Sequence, residues 1–167
     1  MVWTADPGGI YVAPEEVGEP QVLDAQAVAI LEAWVDRLVP GDEHWPPATA
    51  TPAVGYIDAM LRRAPAVAPA VLAAVGWLAE RGFAERDAGG RVGLLRELEA
   101  SAELGGVFRS VLEMTLEAYY RDPAVEAVVH ERTGFDSRRT MTGTPLPPFD
   151  ESRLQRVRML PARYRDA

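Results

Sequence analysis

Asp42, Glu43 and His44 are the one place in this chain where side chains able to hold a metal stand together. A zinc-type site takes three or four ligands and orients them through a second layer of hydrogen bonds. Three adjacent loop residues do not converge in that way, and nothing in the spacing brings His130, the only other imidazole, close. Asp42 reads better as a turn former after Pro40-Gly41. The stretch Gly89-Gly90-Arg91-Val92-Gly93 has the glycine content of a phosphate cradle. It follows no strand and precedes no lysine, so a turn over Asp87–Gly90 entering a helix is the expectation. Glu113, Glu117 and Asp122 could act as acid and base only in a pocket that separated their pKa values. Their spacing instead puts them on the wet side of a helix. Ser110 and Thr115 have no histidine at a useful distance for nucleophilic catalysis. No catalytic, cofactor-binding or metal-binding residue is assigned to this chain.

Composition narrows the field further. The 167 residues contain no cysteine, which excludes disulfides, thiolate nucleophiles and cysteine metal sites. All 17 basic residues are arginine, so Schiff-base chemistry and a phosphate-loop lysine are excluded too. A formal net charge of −8 argues against nucleic acid or an anionic membrane as partner. The opening residues lack a basic region, an apolar signal core and a twin arginine, and no apolar run approaches a membrane span. The expectation is a cytoplasmic protein without membrane insertion, unless a partner carries an export signal.

The elements that must position any functional side chain are helical. Leu23, Ala27, Ile30, Leu31, Trp34, Val35 and Leu38 form an apolar stripe at helical spacing, with Asp24 as N-cap and Pro40 as terminator. Thr51-Pro52 is expected to cap a second helix carrying Val54, Ile57 and Leu61 on one face. A third runs through Val71, Leu72, Val75, Leu78 and Ala79 and closes at Gly82. A short fourth holds Val92, Leu95 and Leu98. The fifth, from about Glu103 to Arg121, aligns Leu104, Phe108, Val111, Leu112, Thr115 and Tyr119 and is the expected centre of the bundle. Asp122-Pro123 starts a short sixth that Gly134 stops, and a last helical stretch is expected near Ser152–Leu160. The fold class is all-α: a single bundle of about five to six helices over residues 23–134. An extended arm, residues 1–22, precedes it, ordered against a partner, and an irregular Pro- and Arg-rich tail, residues 135–167, follows.

Three segments in this order carry a family resemblance. They are Asp36–Asp42 (DRLVPGD) with Pro52–Asp58 (PAVGYID), then Gly82–Leu98 (GFAERDAGGRVGLLREL), then Phe108–Pro123 (FRSVLEMTLEAYYRDP). Together they make the chain resemble the gluconate 2-dehydrogenase subunit 3 family, small helical partners of flavin-dependent sugar and alcohol oxidoreductases. After its aromatic-Arg/Ser-Asp-Pro turn that family usually carries a Gly-Gly-Asn run leading to Trp and Gly-Phe. Here a helix over Ala124–Arg132 takes its place, and only Gly134-Phe135 matches the ending. The resemblance implies a larger partner of the glucose–methanol–choline class that holds the FAD and the catalytic histidine. This chain would be a non-catalytic subunit supporting the folding, stability or assembly of that partner.

Candidate contact residues follow from side-chain type and place. Trp45, beside Pro46-Pro47, either tucks onto its own core or anchors an interface, where tryptophan and arginine dominate. The tail beyond residue 149 carries a net charge of +2 against −10 for the remainder. There and immediately before it, Phe149, Leu154, Met159, Leu160 and Tyr164 alternate with Arg153, Arg156 and Arg158, a pattern suited to wrapping a partner surface. The alternative is a free-standing regulatory or ligand-binding protein with a pocket near Trp34, Trp77, Tyr119 and Tyr120.

Overall fold

Asp24 opens the first helix as its spacing predicts: its carboxylate accepts the N–H of Ala27 at 2.8 Å and caps α1, Ala25–Leu38. The computed structural model describes residues 12–136 and 150–159. Their regular structure is helical throughout, with no strand among the described residues. After α1 come α2, Ala53–Arg63; α3, Ala68–Ala79; α4, Ala88–Ala100; α5, Gly105–Arg121; and α6, Pro123–Thr133. The chain divides into two units after Phe135.

In the first unit α5 is central and packs against all five other helices. Its inner face is Val111, Met114, Thr115, Ala118 and Tyr119. Thr115 is buried without penalty because its hydroxyl donates to the Val111 carbonyl at 2.7 Å. α1 supplies Ile30, Leu31, Trp34 and Val35, all buried, so the apolar stripe read from the sequence is the real core face. Phe108 is half-buried and stacks on Trp34, with ring centroids 6.1 Å apart.

Several connections differ from their expected form. Thr51 is not an N-cap: its hydroxyl donates back to the Ala48 carbonyl at 2.7 Å, and Pro52 takes the cap position without a side-chain bond. A short 3-10 turn, Ala48–Ala50, competes for that hydroxyl and wins it. Leu72 lies on the outer side of α3 and is exposed. The turn expected over Asp87–Gly90 is already α4, since Asp87 accepts the N–H of Gly90 at 2.7 Å and caps the helix there. Two other connections match. The N–H of Phe83 reaches the Leu78 carbonyl and that of Gly82 the Ala79 carbonyl, a Schellman closure of α3 with Gly82 left-handed. Asp122 caps α6 and Gly134, at φ 70°, ends it, so a helix does occupy Ala124–Arg132.

The described part of the N-terminal arm, residues 12–22, lies along the helical body. Val12 is fully buried, and its carbonyl accepts from Arg121 at 3.0 Å. Glu16 pairs with Arg63, and its carbonyl accepts from Arg62. The arm passes so close to α2 that a Cβ at Gly55 would lie 3.0 Å from the Gly18 carbonyl oxygen. Its anchor is Asp58, whose side chain is 1% exposed. That carboxylate accepts the N–H groups of Gln21, Val22 and Leu23 at 3.0, 2.8 and 3.0 Å. Arg62 lies 3.2 Å away. Burial pushes the Asp58 carboxyl up, but those three amides and Arg62 outweigh it and hold it below the usual aspartate value.

In the second unit Asp150 accepts the N–H of Ser152 and opens a 3-10 turn, Glu151–Leu154. This continues into a single α turn, Gln155–Arg158, shorter than the helix expected over Ser152–Leu160. Arg158 reaches Glu151 at 3.3 Å.

Two outcomes follow. Phe108→Ala is expected to cost about 2–3 kcal/mol, below the range for a fully buried aromatic because Phe108 keeps some exposure. A thermal melt checks it, and an unchanged midpoint would place the ring outside the core. Asp58→Ala orphans three amides and should cost on the order of 3–5 kcal/mol. Because the folded-state pKa is lowered, the contribution of Asp58 is complete above the ordinary aspartate value of about 3.9. It fades as pH falls through the lower folded value. Melts of wild type and Asp58→Asn from neutral pH downward should therefore converge on the acid side.

Candidate partner-binding surface

The loop between α1 and α2 is built around Gly41. Its φ is 76°, and a Cβ there would lie 2.6 Å from the Pro47 nitrogen and 2.9 Å from the Trp45 carbonyl oxygen. Only glycine fits both the left-handed backbone and the approach. The Asp42 N–H then donates to the Trp45 carbonyl, and the Asp42 carboxylate accepts from His44 and Trp45 at 2.7 and 2.9 Å. Those two amides hold the Asp42 carboxyl below its usual range. Asp42 is thus the turn former expected of it. Glu43 and His44 pair with each other at 3.0 Å, and no cluster able to hold a metal occurs among the described residues.

This loop is fastened to the bundle at both ends. The Ala48 N–H donates to the Val39 carbonyl, and the Tyr119 hydroxyl donates to the Pro46 carbonyl at 2.8 Å. Burial, then the neighbouring Tyr120, Asp42 and Asp122, raise the Tyr119 pKa, which keeps it a donor. Trp45 is half-buried against the core and half-presented. Beside this pinned loop, Tyr120 packs edge-on to Tyr119 at 5.3 Å and is 59% exposed.

The tail candidates divide. Met159 is 82% exposed, Leu154 is half-buried, and Arg158 is exposed and paired within its own turn. Of Arg153 and Arg156 only the backbone is described, and Phe149, Leu160 and Tyr164 lie outside the described residues.

Among the described residues Trp34, Trp77, Tyr119 and Tyr120, expected around a pocket, line none of the three best-formed cavities. Trp34 and Tyr119 are core residues, while Trp77 is half-buried under the Arg81 guanidinium at 3.8 Å from its ring centroid. Periodicity marks aromatic residues as inward-facing but does not show which inward faces leave space between them. A cavity of about 410 Å³ lies elsewhere, between the end of α2, the start of α3 and the outer side of α5. Met60, Leu61, Val67 and Met114 line its floor, and Arg109, Ser110, Glu113 and Glu117 its α5 side. Ser110, Glu113 and Glu117 thus share a concave surface that their spacing along α5 does not announce. A usable signal was present in Gly106 and Ser110, small residues four apart on the helix side opposite Val111.

The profile of the family described as gluconate 2-dehydrogenase subunit 3 matches residues 25–136, from the first residue of α1 to just beyond the Gly134 cap. The chain belongs to the gluconate 2-dehydrogenase subunit 3 family. No curated protein and no solved structure matches it. The segments that carry the family resemblance have structural work in this chain. PAVGYID brings Gly55 and Asp58 to the arm, and AYYRDP supplies Tyr119 to the Trp45 loop and Arg121 to Val12. GFAERDAGGRV supplies Gly82 and Asp87 to two helix ends. It also supplies Arg91, whose guanidinium donates to the Phe83 and Ala84 carbonyls. The family match takes in only the first residue of the second unit, Asp136, and excludes the arm. Among the described residues no helix is long and apolar enough to cross a membrane.

The loop geometry makes a direct test. Gly41→Ala should destabilise the domain by on the order of 1–3 kcal/mol, through the left-handed backbone and the approach of Pro47. A melt together with Trp45 fluorescence reads it, and a neutral result would mean the loop can open without cost.

Proposed function

We propose that this chain is a non-catalytic accessory subunit of an FAD-dependent sugar or alcohol oxidoreductase complex, and that it stabilises or assembles the larger flavoprotein. The single observation that carries this is family membership over residues 25–136. It is supported by the side chains that meet inside this bundle. They tie helix ends, loop and arm together, and the carboxylates and hydroxyls first weighed as reactive are bonded to backbone or exposed. A general base needs a pocket that tunes it and a substrate proton within reach. In this proposal the FAD and the catalytic histidine belong to the partner, and assembly takes place in the cytoplasm.

Trp45 and the tail from Phe149 to Tyr164 are the proposed contacts. Tryptophan in a loop already pinned by Tyr119 loses little freedom on binding. The tail's arginines can pair with carboxylates at the rim of an interface.

Two measurements test the proposal. The chain purified alone should carry no flavin absorbance and oxidise no sugar or alcohol, and stoichiometric FAD on it would refute the assignment of chemistry to the partner. Co-expressed with the flavoprotein large subunit of the same source, it should elute with it on size exclusion. Deleting residues 149–167 should then leave helical content by circular dichroism intact but reduce co-elution. Loss of the helical signal on deletion would assign the tail to the bundle's own stability instead.

A further inference from the structure

The two halves of the arm are held to the bundle by different means. At residues 21–23 three consecutive amides point into the Asp58 carboxylate, and Leu23 itself is buried. Upstream, residues 12–20 are held at separate points. Arg121 of α5 donates to the Val12 carbonyl at 3.0 Å, Arg62 of α2 to the Glu16 carbonyl at 2.8 Å, and Arg63 to the Glu16 carboxylate at 2.9 Å. Between those points the segment bridges space that it does not fill. A cavity of about 190 Å³ lies between Val12, Pro14 and Val17 of the arm and Pro52, Tyr56 and Ala118 of the bundle. Another, of about 280 Å³, lies between Gly18, Glu19 and Pro20 and the side of Ala48, Val54 and Gly55. Close approach of the backbones comes at Gly18, whose carbonyl oxygen would lie 3.0 Å from a Cβ on Gly55.

Burial and bonding set these halves apart in stability. Within residues 12–20 Val12 is fully buried, but Pro14, Glu15, Gly18 and Glu19 are exposed. The amide bonds formed there are local. The Ala13 N–H donates to the Glu16 carboxylate at 3.1 Å, and those of Glu16 and Val17 donate to the Ala13 and Pro14 carbonyls. Pro14 and Pro20 have no amide to give. A segment with few buried apolar contacts and solvent-exposed local bonds opens at lower free energy than a packed helix. The clasp at residues 21–23 is of the other kind, because pulling three amides off a buried carboxylate orphans all of them. The weak point between the two halves is therefore Pro20-Gln21. What holds the upstream half is a recognition pattern. Two arginines read main-chain carbonyls, Arg63 reads a carboxylate, and Val12 fills an apolar seat. Charge is complementary as well: residues 12–20 carry Glu15, Glu16 and Glu19 with no basic residue, and meet Arg62, Arg63 and Arg121.

We infer that the ends of α2 and α5 form a recognition site for an acidic peptide segment, and that residues 12–20 occupy it in cis as a strap. The strap lifts as one unit while the bundle stays folded and the clasp on Asp58 stays shut. Main-chain carbonyls are common to every peptide, so the site selects by spacing: a small aliphatic residue and, four residues on, a carboxylate. Lifting the strap frees Arg63 of Glu16 and opens the seat of Val12 beside Tyr56. The site lies apart from Trp45 and the tail, and it stands or falls independently of the accessory-subunit proposal.

Native-state hydrogen exchange on the full-length chain reads the strap directly. The amides of Ala13, Glu16 and Val17 are expected to open together, on the order of ten-fold faster than those of Val22 and Leu23. Exchange of both sets at one rate would merge the strap with the core and overturn the inference. Exchange at the rate of an unprotected chain would overturn it too, since the strap would then have no seat. Recognition is read by NMR, with the peptide of residues 12–20 as probe. Val12→Ser with Glu16→Gln weakens the cis strap and leaves the site itself unchanged. That full-length variant should keep its helical circular dichroism and take up the probe at roughly millimolar concentration, the order of a tethered segment's effective concentration. The signals of Gly55, Tyr56 and Arg121 should shift. Wild type, whose own strap competes, should bind the probe on the order of ten-fold more weakly. A probe carrying Glu16→Lys should not bind. A helical variant that ignores the probe overturns the recognition site, and a variant that loses its helices makes the strap part of the core. A wild-type dimer in light scattering that the variant loses would put the strap on a second copy and overturn its assignment in cis.

Discussion

A buried carboxylate on α2 governs how this chain is put together. Asp58 sits inside the bundle, where an isolated charge would be costly. Three consecutive amides of the arm and the Arg62 guanidinium make it tolerable there. The same bonds fix the backbone immediately before Asp24, and so fix where α1 begins and how it lies against α2. With α1 placed, Trp34 meets Phe108 and the stripe from Ile30 to Val35 closes onto α5. Losing one partner of such an arrangement is expensive because the others are left buried and unpaired. Asp58 and the arm are therefore a single structural unit, although 35 residues separate Leu23 from Asp58.

The family signals acquire a physical meaning in this light. Besides buried apolar positions such as Ile57, Leu95 and Val111, they include places where helices stop, turn or receive another segment. An apolar face can be rebuilt from many combinations of similar volume. A left-handed closure at Gly82, a cap at Asp87 or a Tyr119 hydroxyl under Pro46 has few substitutes.

Rigidity also shapes what the surface offers. The Trp45 loop is closed by Gly41, Asp42 and Tyr119 before any partner arrives, and α5 holds the cavity beside Met60 open with two small residues. Surfaces organised in advance lose less conformational freedom on binding. The described arm residues are tied to the bundle through Glu16, Arg62 and Arg63.

The helices themselves were legible in the sequence, because periodicity, caps and breakers act over a few residues. Asp24, Asp122, Gly82 and Gly134 mark ends that the fold keeps, and the stripe of α1 is its buried face. The family could likewise be read from three ordered segments. Local competition spoiled the cap at Thr51, where a hydroxyl had two carbonyl and amide environments within reach. What only the tertiary structure decided are contacts between residues far apart in the chain. The burial of Asp58, the docking of Val12 on Arg121, and the space between Met60 and Ser110 are of this kind. A spacing rule reports which side of one helix faces inward; whether two such sides meet tightly or leave a groove depends on how the helices cross, which no single segment encodes.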